Sequence, residues 1–309
     1  MKIDFSNFDR LFSVTDYFST DEICKQVIVQ ARWADGDAVC PYCGAHHCNI
    51  RKDSRYICKK CNNKFSVLVG TIFENTKISL RKWFIAMYLI SSHKKGISSH
   101  QLARDIKTTQ KTAWYILHKV RTLFVQDTMC LGNVVECDEA YIGGREKNKH
   151  ESKRTEGTQG RSTKTKAPIF GMIERGGKVV ARKVQNTQSN TLSPIIRQFV
   201  KEGSRIFTDE YIGYASLRNS EYSHAVVHHN AKEFVVGDAH TNSIEGFWGQ
   251  LKRSIFGIYH FVSAKYLQRY VDEAVFRYNT RKMSEGERFA MMFNRSIGVV
   301  RYEQVRMAV

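Results

Sequence analysis

Three prolines in 309 residues leave the chain almost without helix breakers, and nowhere do 18 apolar residues run together. The second absence argues against a bilayer-spanning helix. The opening MKIDFSNFDRLF is too acidic and too interrupted to act as a secretory leader. Acids are the scarce charge: 30 Asp and Glu stand against 48 Lys and Arg, for a formal net charge of +18. That excess favours a polyanionic partner, nucleic acid first, although a ribosomal-type or membrane-surface protein would share it. What is present is an ordinary apolar share of 42%, with enough length for two or three domains. The eight cysteines read as thiols and metal ligands rather than disulfides.

Four of those cysteines form two pairs, Cys40-Pro-Tyr-Cys43 and Cys58-Lys-Lys-Cys61, with 14 residues between them. Each pair makes a tight knuckle that aims two thiolates at one point, and two knuckles complete a closed tetrahedral site. The spacing predicts a structural zinc ribbon with Zn²⁺ on Cys40, Cys43, Cys58 and Cys61. His46, His47 and Cys48 are close enough to be rival ligands, whereas Cys24, Cys130 and Cys137 read as small apolar residues. The basic residues of the ribbon suit phosphate contact or a solvated face equally.

Residues 77–125 carry helical periodicity. Trp83, Ala86, Met87 and Ile90 form one stripe, and a short helix, a turn and a longer helix follow, with Ser98 or Ser99 and Thr108 or Thr109 as caps. In the longer helix Ala113, Leu117, Val120 and Phe124 mark the buried back. Gln110, Lys111, Tyr115, His118 and Lys119 mark a polar front, and Gln110, Lys111, Tyr115 and Lys119 are the candidate DNA contacts of a helix-turn-helix. An ordinary three-helix packing unit has the same pattern.

From residue 133 the pattern becomes strand-like. Three strands with a turn at Arg175-Gly176-Gly177, a helix containing Pro194, two further strands and a long helix from Asn242 predict a mixed α/β sheet with helices on its faces. Asp138 and Asp209 lie in two of these strands and Glu245 in the helix. Alternation puts Glu136 on the face of Asp138, and Glu139 and Glu210 on faces opposite to Asp138 and Asp209. Asn242 and Glu245 also fit the N-cap and third position of a capping box, so local pattern leaves the third acid open. Trp248 reads as core, and His240 as either a site residue or an exposed cap.

The cysteine ribbon, CDEAYIGG at 137–144, FTDEYIGY at 207–214, HTNSIEGFWGQLKR at 240–253 and YLQRYVDEAVFRYNTR at 266–281 together resemble the bacterial insertion-sequence transposases of the ISXO type. Those proteins pair an N-terminal zinc ribbon with a DDE catalytic domain, and the resemblance covers nearly the whole chain. It implies a ribonuclease-H-like mixed sheet with flanking helices, preceded by a zinc ribbon and a helix-turn-helix. It implies DNA strand cleavage and joining that depend on Mg²⁺ or Mn²⁺, with Asp138, Asp209 and Glu245 as the metal-binding triad. Asn242 is the runner-up, because some relatives use Asn as the third residue. Lys252 matches the basic residue that follows the third acid and grips DNA phosphate, with Arg253 beside it. The partners implied are double-stranded DNA, as element ends and target, and further copies of the chain in a dimer or larger assembly on DNA. The resemblance also implies no membrane partner, and a cytoplasmic, nucleoid-associated location.

The domain map expected is an N-terminal helical segment at 1–35, the ribbon at 36–70, the helix-turn-helix at 71–128 and the catalytic domain at 129–309. The catalytic domain would carry a basic loop at 145–168, with eight Lys or Arg against three Glu, and C-terminal helices packed on the sheet. Two other functions stay open: a DNA-binding regulator without catalysis, and a metal-dependent nuclease that cuts without joining.

Overall fold

The cysteine pairs close a small antiparallel sheet in which β1 (Cys48–Ile50), β2 (Tyr56–Cys58) and β3 (Lys64–Phe65) lie in order. The two knuckles repeat one geometry. Gly44 N–H donates to Cys40 O, and Asn62 N–H to Cys58 O, both at 3.0 Å. Gly44 and Asn62 both take positive φ, 69° and 56°, a region where glycine and asparagine are tolerated best. Beneath the ribbon, Trp33 packs edge-on against Tyr56 at 4.8 Å and Tyr56 stacks on Phe65 at 5.5 Å.

The computed structural model describes residues 4–126, 130–144, 150–157, 162–227 and 240–297. The chain divides into two compact units, Met1–Phe124 with Lys282–Ala308, and Val125–Arg281.

The first unit holds the ribbon and its helices: α1 (Leu11–Tyr17), α2 (Asp21–Arg32), α3 (Leu80–Ser92), α4 (Ser99–Asp105) and α5 (Gln110–Arg121). It also holds the last helix of the chain described below. The stripe expected on α3 is wider than one face. Leu80, Phe84, Tyr88 and Leu89 are buried along with Trp83, Ala86, Met87 and Ile90, as befits a helix surrounded by others. Helices α4 and α5 make the helix-turn-helix pair. Ser98 Oγ accepts from Gln101 N–H at 3.1 Å, and Thr109 Oγ1 from Thr112 N–H at 3.2 Å, so each helix has a side chain satisfying one of its free N–H groups.

Two expectations are corrected in this unit. His118 and Lys119 are buried rather than on a polar front; the Lys119 ammonium lies 5.9 Å from the Trp83 ring centre and 5.8 Å from that of Tyr115. Burial lowers the Lys119 pKa, and cation–π attraction offsets part of the desolvation. The last helix, α9 (Glu285–Ser296), does not complete the sheet domain. It packs in the first unit, where Phe293 meets Phe84 at 5.4 Å and Glu285 accepts from Tyr88 Oη at 2.8 Å. Cys24 and Cys137 are buried as expected, but Cys130 is exposed.

The second unit is a five-stranded sheet in the order β6-β5-β4-β7-β8. Its strands are β4 (Val134–Gly143), β5 (Lys166–Glu174), β6 (Val179–Lys183), β7 (Arg205–Asp209) and β8 (Ser223–Val227). β5 runs antiparallel to both neighbours, while β4, β7 and β8 are mutually parallel. Because β5 begins at Lys166, the basic loop ends sooner than expected; residues 145–149 and 158–161 of it lie outside the described residues.

Period-two alternation gives the sheet two apolar faces. On one, α6 (Ser189–Phe199) packs with Leu192, Ile196 and Phe199 against Val135, Cys137 and Met172. On the other, α7 (Asn242–Ser254) and α8 (Leu267–Asn279) pack with Ile244, Trp248 and Val271 against Ala140, Ile169 and Ala181. This strand order, with one antiparallel strand and helices on both faces, is the ribonuclease-H-like arrangement. Among the described residues no helix is long and apolar enough to cross a membrane.

Candidate active site

Strand pairing brings the first two acids together. β4 and β7 are parallel with Glu136 opposite Phe207, so two residues further on Asp138 stands level with Asp209 at the carboxyl end of β7. Ligand oxygens of Asp138, Glu139 and Asp209 all lie within 4.8 Å of one another. Asp209 also accepts the Tyr211 N–H at 3.0 Å, which ties the turn after β7 to its carboxylate.

Glu139 was expected to face away. By strand alternation its side chain belongs to the opposite face, where its charge helps raise the pKa of the buried Tyr214. Its carboxylate still joins the group, at a point where β4 has run past the end of its pairing with β7.

Burial is the main cause that lifts the Asp138 pKa from 3.8 to about 7, with repulsion from Asp209 and Glu245 adding to it. The Glu139 backbone N–H and the Trp248 indole pull the other way. A half-buried carboxylate crowded by like charges is short of positive charge. An oxygen-only donor set of this kind fits a hard divalent cation.

Glu245 is exposed on the first turn of α7. It stands close enough to raise the Asp138 pKa but outside the tight group. The capping box that Asn242 and Glu245 also fitted in sequence does not form. The helix starts at Asn242 itself, and Thr241 Oγ1 bonds Glu245 Oε1 at 3.1 Å. Asn242 is exposed. Lys252 and Arg253 are exposed on the last turn of the same helix. Asp238, a weaker candidate for the third acid, lies outside the described residues.

Glu136, the rival of Asp138 on its own face, does a different job. Its fully buried carboxylate accepts Ser243 N–H at 2.8 Å, Ile244 N–H at 3.1 Å and Arg175 Nε–H at 2.8 Å, with His240 Nδ1 at 3.2 Å. It therefore caps α7 from a neighbouring strand, at the end of the helix dipole that favours negative charge. Trp248 is core, as expected, and it also donates its Nε1–H to Asp138 Oδ2 at 3.0 Å. Neither bond has a signature in local sequence, since the partners are 107 and 110 positions apart.

In the ribbon, Cys40 and Cys61 Sγ are 3.7 Å apart and Cys43 and Cys58 Sγ 3.6 Å. Tetrahedral ligands at a zinc–sulfur distance of about 2.3 Å stand ~3.8 Å from one another, so the four thiols fit the ion. Backbone N–H groups of Cys61 and Lys60 help bring the Cys58 thiol down to about 6, favouring the thiolate that zinc needs. The rival ligands are elsewhere: His46 and His47 turn to Asp37 at 3.2 and 3.6 Å, and Cys48 stays outside the cluster.

A ribonuclease-H-like sheet whose two central strands bring Asp138 and Asp209 level, in a chain that also carries a four-cysteine ribbon and a helix-turn-helix, is the architecture of the transposase class. Comparison with known proteins narrows it. The model of the ISXO2-like transposase domain matches residues 130–279, and that of the transposase zinc-ribbon domain matches residues 19–64. The chain belongs to the ISXO2-like transposase family.

A protein of the transposable element ISH50 from Halobacterium salinarum is 28% identical over 240 residues, 74% of this chain and 81% of that one. A transposase-like protein of Haemophilus influenzae is 33% identical over 106 residues, 34% of this chain and 85% of that one. Among solved structures, the pre-cleavage Mos1 transpososome is similar with a TM-score of 0.27 and 10% identity, covering 64% of this chain and 74% of that one.

Proposed function

We propose that the chain binds the terminal inverted repeats of its element and cuts and rejoins DNA strands at a site organised by Mg²⁺ (or Mn²⁺) on Asp138 and Asp209. The observation that supports this most is the meeting of those carboxylates, within a group whose oxygens lie within 4.8 Å of one another, where burial and like charge hold Asp138 at a pKa of about 7. A divalent ion pair bound there supplies activation of the attacking oxygen and charge stabilisation at the leaving oxygen.

The chain's own residues divide the remaining work. Asp138 and Asp209 hold the ions from two adjacent strands. Glu245 completes the set from α7, with Asn242 the alternative on that turn. A second reading gives the third place to Glu139, because its oxygen is in the tight group and that of Glu245 is not. Lys252 and Arg253, exposed two helical turns after Glu245, contact phosphate next to the cut. At the start of α5, exposed Gln110 and Lys111 face DNA, with half-buried Tyr115 beside them. Lys119, being buried, is not part of that surface. Two DNA ends brought together for joining call for a dimer or larger assembly on DNA.

Incubating the protein and Mg²⁺ with supercoiled plasmid carrying the element's ends tests the reading. Joined products are expected. Cleavage without joining would identify a nuclease, and a gel shift without cleavage a regulator. Asp138→Ala or Asp209→Ala is expected to abolish chemistry and keep the gel shift. Loss of both would mean that the residue is structural.

A further inference from the structure

We infer that Trp248 is a positioning residue for Asp138, holding one carboxylate oxygen so that the group presents the other to the metal, and that Gly171 exists as the notch that admits its ring. This rests on the proposed metal role of Asp138.

Trp248 is buried on α7. It packs against Phe247 at 5.2 Å, and Phe247 packs edge-on against Tyr278 at 5.7 Å. An indole N–H is a donor only and, when buried, must find an acceptor. Here that acceptor is Asp138 Oδ2, at 3.0 Å. A rigid ring wedged in the core is a fixed anchor, so the bond restrains the Asp138 side chain in a way that a flexible surface donor could not.

The sequence makes room for this contact at one position. Gly171 on β5 is the register partner of Asp138 on β4. A Cβ there would come within 2.5 Å of Trp248 Cζ2, 2.6 Å of Cη2 and 3.0 Å of Ile244 Cδ1. Real Cβ contacts are not that short, so any side chain at 171 would lift the indole away from the sheet and from Asp138. The glycine, the indole and the acid thus form one stack across two strands and a helix. A packing tryptophan alone would not require its N–H to be aimed at the charged group.

The test separates donor from packing by Mn²⁺ binding to the full-length, zinc-loaded protein, followed by calorimetry without DNA. Trp248→Phe keeps a ring and loses the donor. Replacement of Trp248 by 3-benzothienylalanine keeps the outline and puts sulfur in place of the N–H, which guards against misfolding of the phenylalanine variant. Orienting groups behind metal ligands typically contribute ~10–100-fold to affinity. The expected result is a loss of that size in both variants, with metal-free melting of the benzothienyl protein close to wild type. Unchanged Mn²⁺ affinity in the benzothienyl protein would overturn the inference while leaving the metal site standing. Asp138→Ala serves as the reference: if it binds Mn²⁺ as wild type does, the ion does not use this carboxylate, and both the inference and the proposed function fall.

Discussion

Glu136 accepts the backbone N–H of Ser243 at 2.8 Å, so the first turn of α7 hangs from the strand that carries Asp138. The same carboxylate, fully buried, holds Arg175. Removing one member of a buried charged pair leaves the other uncompensated, at a cost of about 3–5 kcal/mol. Glu136→Ala should therefore destabilise the sheet unit by about that amount in a urea titration. Glu136→Gln, which keeps an acceptor, should lose less. If Glu136→Ala costs no more than a surface substitution, Glu136 does not anchor the helix.

The raised pKa of Asp138 makes stability depend on pH with a definite sign. The folded-state value, about 7, lies above the ordinary 3.8, so the folded protein binds the proton more tightly than the unfolded chain. The group is neutral to stability below pH ~4, costs progressively more as pH rises to ~7, and costs a constant amount above that. Without divalent metal, Asp138→Asn should be more stable than wild type at pH 8 by about 2–4 kcal/mol, with the gap closing near pH 4. Mg²⁺ should stabilise wild type and not the variant. Denaturation curves at the two pH values check this, and a gap that widens toward acid would contradict it.

Gly171→Ala places a methyl group into the indole ring. Over-packing of this kind costs about 1–3 kcal/mol. Strand cleavage should fall further than that stability loss explains, because the displaced ring belongs to Trp248. Comparing melting and cleavage rate in one preparation separates the two effects.

The ribbon should depend on its ion. Chelation at neutral pH should release about one equivalent of zinc per chain, read with a colorimetric dye. Near-ultraviolet signals from Trp33 and Tyr56 should change on release. Cys40→Ser and Cys61→Ser should do the same without chelator, whereas Cys48→Ser should not, since Cys48 is outside the cluster.

The parts of the molecule legible in sequence are those whose cause is local. Two Cys-x-x-Cys pairs fix a ribbon because each knuckle is built within a few residues. Apolar alternation around Asp138 and Asp209 fixes two strands, and parallel pairing then puts the acids level. What sequence misses is set by distant partners. Glu136 and Asp138 share a face and a residue class, and only the N–H groups of Ser243 and Ile244 distinguish helix anchor from site. Lys119 carries a charge that periodicity assigns to the front of α5, but Trp83 and Tyr115 draw it inward. The pattern Asn242 to Glu245 imitates a capping box, whereas a complete one forms at Ser284 and Glu287 of α9. An amphipathic helix such as α9 shows which of its faces is apolar and not which core receives it.

The placement of α9 has a consequence for synthesis. In sequence, the sheet unit, Val125–Arg281, is an uninterrupted stretch that falls between the two segments of the other unit. A ribosome therefore finishes the carboxylate-bearing half before the half with the ribbon and helix-turn-helix can close around Phe289 and Phe293, both buried there. A stop codon just after Arg281 would spare every acid in the site and leave the amino-terminal aromatic core open to solvent.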